Sequence, residues 1–202
     1  MTKLKNTNVE TRNPIYVILD NIRSALNVGS IFRTCDAVNI EKLLLCGITA
    51  YPPHNKIPKT ALGATKSVPW EHYKSTKKAI STIRQPVLRS FSEEGYSNIQ
   101  PHAKSSPSFG GKADPPMAET IVSVELTTSA INHWDYKFEQ PTAVVFGNEV
   151  SGISKEVLKM SDAVIKIPMF GKKKSLNVAT SCGVVLYEMV RQLKHIKKIY
   201  QK

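Results

Sequence analysis

Five short apolar runs, rich in β-branched residues, predict buried strands. They lie at residues 14–20, 41–48, 121–130, 142–147 and 163–169. Between them, apolar positions recur at helical spacing, which predicts helices that each bury one face. Strands that alternate with helices favour an α/β fold, with helices flanking a mostly parallel sheet.

The helical pattern is clearest at two places. After the first strand, one helical face is marked by Ile31, Thr34, Cys35 and Val38. Near the carboxyl end, Ser175 suits the N-cap of a long helix that runs towards residue 191. That helix is predicted to bury Ala179, Cys182, Leu186 and Val190.

Shorter helices are predicted elsewhere. One lies near Ala61 in a loop rich in turn formers, and one starts at residue 71 and is broken by Pro86. A third covers residues 154–160, after the fourth strand.

Residues 97–120 show no apolar period. Pro, Ser, Gly and Lys dominate this stretch, so we expect a flexible insertion. The chain length suits one core, since domains of ~100–200 residues are usual. We therefore predict a single domain over residues 1–202 that carries this insertion.

The charge of the chain narrows the choice of partner. There are 28 Lys and Arg against 16 Asp and Glu, a formal net charge of +12. This excess favours a polyanion, because lysine and arginine release counterions from phosphates, although a solvated basic surface is the alternative. No apolar run approaches the ~18 residues that span a bilayer, and the first residues lack the apolar stretch of a secretory signal. We expect a cytoplasmic protein without membrane contact.

The cysteines suggest no special chemistry. Cys35, Cys46 and Cys182 are far apart and form no CxxC pair, so they indicate neither a zinc site nor a redox centre. We expect reduced, partly buried thiols and no metal ion.

Polar residues cluster at strand-to-helix junctions, where an open α/β sheet binds its ligands. The first junction, NVGSIFRTCDA, offers Asn27 and places Arg33 within an apolar helical face. The simpler interpretation pairs Arg33 with Asp20 or Asp36. The sequence alone leaves both open.

Two further junctions are polar. In VVFGNEVSGIS, Gly147 permits close approach by a ligand, and Glu149 either serves chemistry or caps a helix. In KIPMFGKKKSLNVATSC, a basic loop precedes Ser175 and Asn177. The serine as a simple cap and the asparagine as a solvated side chain are the alternatives there.

Together the three junctions resemble the three signature motifs of the SpoU/TrmH branch of the SPOUT methyltransferases. The segments LDNIRSALNVGSIFRTCDA, FGNEVSGIS and IPMFGKKKSLNVATSCGVVLYE match almost without gaps. The likeness covers most of the chain apart from the first dozen residues and residues 97–120. It implies a deep trefoil knot near the carboxyl end, which periodicity alone would not suggest. It also implies a homodimer that methylates a ribose 2′-hydroxyl of tRNA or rRNA with S-adenosyl-L-methionine.

The resemblance also implies roles for individual residues. Cofactor contacts, many through backbone groups, are expected at Leu126, Gly147, Ile167, Met169, Ser175 and Leu176. The catalytic group is expected to comprise Asn27, Arg33, Glu149, Ser175 and Asn177. The family assigns activation of the hydroxyl to the arginine. Because a guanidinium is a poor base, we assign Arg33 to positioning the hydroxyl and the adjacent phosphate. In a dimer, such groups can act across the subunit interface.

RNA is expected to be held mainly by charge. Basic side chains beside the motifs are Lys56, Lys59, Lys66, Lys172, Lys173 and Lys174. A catalytically inactive RNA-binding SPOUT module is the main alternative, and the intact motif residues argue against it. A base methyltransferase has different motifs, and a Rossmann-type enzyme would show GxGxxG after an early strand.

Overall fold

The computed structural model describes residues 11–84, 118 and 120–193. Within them, seven strands form one sheet in the order β3-β2-β1-β6-β4-β7-β5. All their pairings are parallel. The strands are β1 (Asn13–Asp20), β2 (Ile40–Cys46), β3 (Trp70–Tyr73), β4 (Thr120–Val124), β5 (Ile131–Asn132), β6 (Thr142–Phe146) and β7 (Ala163–Lys166). The predicted α/β class with a parallel sheet is confirmed.

Helices cover both faces of this sheet. They are α1 (Ala25–Val38), α2 (Pro58–Ala61), α3 (Thr76–Arg84), α4 (Lys155–Lys159) and α5 (Val178–Gln192), and a 3₁₀ turn spans Ala64–Lys66. Successive side chains of a strand point to opposite faces. In β1, Val17 therefore packs with α1, α2 and α5, whereas Ile18 packs with α3 and α4. None of the described helices is long and apolar enough to cross a membrane.

The sequence does not predict two of the strands, β3 and β5. The predicted helix from residue 71 is wrong at its start, because β3 pairs with β2 before α3 begins at Thr76. The predicted strand at residues 121–130 ends at Val124, and the two residues of β5 follow as a separate edge strand beside β7. Both elements are short and half-exposed, so their apolar pattern is weak.

Strand β7 is shorter than predicted and α5 begins later. Residues 167–169 leave the sheet after Lys166, next to Pro168, which has no N–H for a ladder. The N-cap of α5 is Asn177 and not Ser175, because the Asn177 side chain accepts the backbone N–H groups of Ala179 and Thr180. Cys182 and Leu186 are buried as predicted, whereas Ala179 and Val190 are only partly buried.

The predicted insertion extends too far towards the carboxyl end. Ala118 is buried, and Thr120 is the first residue of β4, where it pairs with Thr142. Because Thr120 is polar, the apolar pattern of the sequence does not show that β4 begins there. Residues 97–117 and 119, the predicted break at Pro86 and the basic residues 194–202 lie outside the described residues.

The cysteines are all free, and they are fully rather than partly buried. Burial raises the pKa of the Cys46 thiol to about 12. At neutral pH this side chain is therefore a neutral thiol that packs as a small apolar group.

A glycine allows α1 to lie against α2. A Cβ at Gly29 would stand 2.2 Å from Thr60 Oγ1 and 2.4 Å from the backbone oxygen of Ile57. The other helical glycine, Gly183 in α5, has open space around its Cβ position. The two positions form a matched pair.

We predict opposite effects of alanine at these positions. Gly29→Ala should lower the free energy of unfolding by about 1–3 kcal/mol through overpacking. Gly183→Ala should raise it by roughly 0.5–1 kcal/mol, because alanine restricts the unfolded chain. Urea denaturation of both variants measures this, and stabilisation of both would contradict the close helix approach.

Candidate functional site

A cavity of about 500 Å³ opens where β4, β6 and β7 end. This volume lies within the range of ~300–1,000 Å³ that is usual for small-molecule sites. Its walls come from the segments after these strands and from the start of α5. The lining residues are Val124, Glu125, Leu126, Phe146, Asn148, Glu149, Val150, Gly152, Lys166, Ile167, Met169, Ser175, Leu176, Asn177, Val178 and Ser181.

Most residues predicted to contact a cofactor line this cavity. Five of the six are present: Leu126, Ile167, Met169, Ser175 and Leu176. The sixth, Gly147, does not line it. A Cβ there would stand 2.6 Å from the backbone nitrogen of Ile153. The glycine therefore allows Ile153 to approach the chain closely after β6, and the contact of Gly147 with a cofactor stays a prediction.

A chain of hydrogen bonds joins the three polar junctions. Asn177 Nδ2 donates to Asn27 Oδ1 at 3.0 Å, and Asn27 Nδ2 donates to Glu149 Oε1 at 2.9 Å. Asn177 Oδ1 accepts from the Ala179 amide at 2.8 Å. Because each amide has a donor at one end and an acceptor at the other, both side-chain orientations are fixed. The structure thus brings Asn27, Glu149 and Asn177 together at the cavity.

Glu149 also binds the start of α1. Its Oε2 accepts the Arg23 amide at 2.9 Å, and its Oε1 accepts the Ser24 amide at 3.2 Å. Burial alone would raise the pKa of this carboxyl group, but the hydrogen bonds from Arg23, Asn27 and Ser24 outweigh it and lower the pKa. Glu149 is therefore a charged acceptor at neutral pH. Glu149 therefore does cap a helix, as the alternative interpretation predicts. The helix is α1, which belongs to another junction.

Two cavity residues were missed in the sequence. The Glu125 carboxylate accepts the amides of Ile153 and Leu126 at 2.8 and 3.0 Å. Asn148 donates to the Asn21 carbonyl oxygen at 2.7 Å and accepts the amides of Val150 and Ser151. Glu125 directly follows β4 and Asn148 lies two residues after β6, and this position at the end of a buried strand is the signal that could have identified them. They hold the loops that form the walls.

Arg33 lies away from this cavity. It is six residues beyond Asn27 on α1, so its side chain leaves the helix about 120° away. It is exposed, which corrects its predicted place within an apolar face, and it has no hydrogen bond or ion pair to any described residue. Neither Asp20 nor Asp36 pairs with it. It lines a separate surface hollow with Lys59, Gly183 and Tyr187 among others.

The predicted RNA-binding lysines form two groups. Lys56, Lys59 and Lys66 are exposed around α2 and the 3₁₀ turn, where Lys59 shares the hollow with Arg33. Lys172, Lys173 and Lys174 are exposed in the loop between the cavity and α5. Ser175, next to them, is exposed and makes no hydrogen bond to a described residue.

The carboxylate of Glu149 predicts an acid-dependent loss of stability. Its pKa is lowered in the folded chain, so its contribution is present above the unfolded value of ~4.3 and is lost as the pH falls through the folded value. Glu149→Gln should destabilise the protein at pH 7, and the difference from wild type should shrink below about pH 4. Urea denaturation across pH measures it, with Glu139→Gln as an exposed control. A difference that stays constant down to pH 3 would contradict the carboxylate's role.

The family comparison matches most of the chain. The model of the SpoU rRNA Methylase family matches residues 14–109 and 114–187. A tRNA (guanosine(18)-2′-O)-methyltransferase of Aquifex aeolicus is 28% identical over 195 residues, which cover 95% of this chain and 76% of the relative. The enzyme of the same name from Thermus thermophilus is 29% identical over 176 residues, covering 87% and 74%.

Solved structures share the fold. The Aquifex aeolicus TrmH/SpoU tRNA modifying enzyme has a TM-score of 0.69 at 26% identity, covering 96% of this chain and 82% of that one. The SpoU methyltransferase AviRb from Streptomyces viridochromogenes, in complex with AdoMet, has a TM-score of 0.68 at 25% identity. This chain spans 60% of the AviRb chain, and the match covers 91% of this one. The SPOUT-type α/β fold is thereby confirmed, whereas its trefoil knot stays a prediction. As the three motifs predict, the chain belongs to the SpoU rRNA Methylase family.

Proposed function

We propose that this chain transfers a methyl group from S-adenosyl-L-methionine to a ribose 2′-hydroxyl of RNA. One observation carries the proposal: the Asn177–Asn27–Glu149 hydrogen-bond chain joins all three motifs at the edge of a cavity of ligand size. Family membership supports it, as do the names of the relatives from Aquifex aeolicus and Thermus thermophilus. A tRNA or an rRNA is the proposed substrate.

The cavity fits the proposed cofactor. Leu126, Ile167, Met169 and Leu176 offer apolar contacts for its adenosyl part, and the AviRb structure, which holds AdoMet, supports this assignment. When bound, the cofactor supplies an electrophilic methyl group on a sulfonium. The loops that hold Glu125 and Asn148 keep the walls in place, so binding requires little reordering of the chain.

The fixed polar groups orient the reaction. As the ribose oxygen bonds to the methyl group, the bond from that methyl group to sulfur breaks, the thioether S-adenosyl-L-homocysteine leaves, and the hydroxyl proton passes to solvent water. Asn27 and Asn177 use their amide groups to hold the junctions together. Glu149, with its lowered pKa, is a weak base at neutral pH. Of the predicted catalytic group, the free hydroxyl of Ser175 and the free guanidinium of Arg33 are left to contact the nucleotide that is methylated. We assign Ser175 to the ribose side of the cavity and Arg33 to the 2′-hydroxyl and its phosphate.

Arg33 meets the cavity only in a homodimer. Within one protomer it points away from the cavity, beside Gly183 and the exposed ring of Tyr187. We propose that a second copy packs on this face of α1 and α5, so that Arg33 of the partner subunit completes the site. An isologous contact of this kind would complete both sites at once.

The two lysine groups suit an RNA that lies across the cavity mouth. Lys172–Lys174 would anchor phosphates beside the cavity of their own protomer. The group of Lys56, Lys59 and Lys66, in which Lys59 lies beside Arg33, would reach the cavity of the other protomer together with that arginine. A cytoplasmic location and the single domain over residues 1–202 stay predictions. The alternative, an inactive RNA-binding module, differs in cofactor binding, because such a module would have no use for the cofactor.

Arg33→Ala should separate binding from turnover. We expect calorimetry to give wild-type affinity for S-adenosyl-L-methionine, because Arg33 is assigned to the 2′-hydroxyl and its phosphate and not to the cofactor. Transfer of labelled methyl to total RNA should fall by about 100-fold or more, because the hydroxyl is no longer positioned. Arg84→Ala, on the opposite face of the sheet, is the matched control. Unchanged transfer by Arg33→Ala would refute the assignment, and a wild-type chain that binds no cofactor would favour the inactive module.

Subunit mixing tests the shared site. Arg33→Ala and Glu149→Gln should each be inactive as homodimers. A hybrid dimer, purified through two affinity tags, should regain about half of the wild-type activity, because one of its two sites is then intact. If Arg33 serves its own protomer, each site carries one substitution and the hybrid stays inactive.

A further inference from the structure

Two aromatic side chains stand exposed beside the cavity. The rings of Trp134 and Phe170 are parallel within 1°, with centroids 6.3 Å apart. Trp134 is 45% exposed and Phe170 is 88% exposed. Behind them, the buried His133 ring lies 4.9 Å from Trp134. Two large parallel rings that are exposed to water form a surface suited to a flat ligand.

The backbone holds this ring pair at the rim of the cavity. Asn132 pairs with Lys166 at the end of β7, and the His133 amide donates to the Lys166 carbonyl oxygen at 2.8 Å. Trp134 is therefore anchored where β7 ends. On the other side, Met169 lines the cavity and Phe170 is the next residue. Phe170 does not itself line the cavity.

The surrounding charge indicates what stacks there. Lys172, Lys173 and Lys174 follow Phe170 by two to four residues, so they lie within ~14 Å even if the chain is extended. Aromatic faces beside a basic segment form the usual site for single-stranded nucleic acid, in which bases stack and lysines hold phosphates. A second copy of this chain, with its net charge of +12, is a poor occupant of so basic a patch.

We propose that Trp134 and Phe170 form a stacking platform for an RNA base next to the nucleotide that is methylated. Lys172–Lys174 hold the phosphates that join the two nucleotides. The position of the base relative to the methylated ribose rests on the proposed function. The substrate is therefore an unpaired or splayed stretch of RNA, because a base within a duplex cannot offer its face to a protein ring.

Trp134 can report on this contact directly. The chain contains two tryptophans, so Trp70→Phe leaves Trp134 as the single indole. In that background, a short single-stranded adenosine oligoribonucleotide should quench the fluorescence of Trp134. An abasic ribose-phosphate oligomer of equal length should bind through charge and leave the fluorescence unchanged. Equal quenching by both oligomers would overturn the proposal.

Removal of the second ring gives the functional test in the full chain. Phe170→Ala should weaken binding of the adenosine oligomer by about 5- to 150-fold, leave binding of the abasic oligomer unchanged, and raise KM for RNA more than it lowers kcat. Phe170→Tyr should retain wild-type values. Tyr51→Ala, at an aromatic residue that is also 45% exposed and packs on His72, is the matched control and should change nothing.

The other outcomes identify a different role. Wild-type RNA affinity in Phe170→Ala overturns the platform. So does a changed affinity for S-adenosyl-L-methionine, which would place the ring in the cofactor site, or a changed dimer mass in ultracentrifugation, which would place it in the subunit interface. If wild type transfers no methyl group while base-dependent quenching persists and Phe170→Ala abolishes it, the proposed reaction fails and the platform stands.

Discussion

The hydrogen-bond chain from Asn177 through Asn27 to Glu149 is the constraint on which the site depends. Its members come from three segments, and each of its two hydrogen bonds joins residues that are more than a hundred positions apart in the sequence. Two of them also bind helix starts: Asn177 caps α5, and Glu149 accepts two amides at the start of α1. The unsatisfied N–H groups at helix starts therefore determine where the polar side chains lie. Substrate contacts are not required to hold this arrangement, so the cavity is formed before any ligand arrives.

The polar groups of Asn27, Asn177 and Glu149 are already occupied by hydrogen bonds within the protein. Groups that are occupied by the fold cannot also move protons, and the lowered pKa of Glu149 keeps it an acceptor. The cavity is thus a binding and orienting surface whose reactive partners must come from elsewhere. Arg33, exposed and without a partner among the described residues, is suited to be brought in by assembly. That explains why the proposed reaction needs the dimer, whereas the proposed cofactor site does not.

The sequence predicts the buried half of the molecule well. The central strands have continuous apolar runs, and the three motifs identify Asn27, Glu149 and Asn177, which the structure then joins. The edge strands β3 and β5 are missed because their pairing has few neighbours and leaves a weak apolar pattern. Ser175 and Asn177 both suit an N-cap, and the structure decides for Asn177, whose side chain accepts the amides of Ala179 and Thr180. Gly147 is singled out for a ligand contact, which stays a prediction, and the structure adds a close approach of Ile153 that the sequence does not show. Arg33 is predicted within an apolar helical face, and the structure instead places it exposed and away from the cavity, because only the rotation along α1 decides which way its side chain leaves the helix.

The structure therefore divides the chemistry into a fixed part and an exposed part. The fixed part comprises the cavity and its hydrogen-bonded junctions. It serves what the proposed reaction needs with every RNA, which is the cofactor and the ribose. The exposed part comprises the lysines, Arg33 and the ring pair of Trp134 and Phe170, and none of these is held by the junctions. Among the described residues, discrimination between RNAs therefore falls to this second part, because a ribose looks alike at every nucleotide. A platform that accepts only an unstacked base would select by RNA conformation rather than by base identity, since every base has a face that can stack.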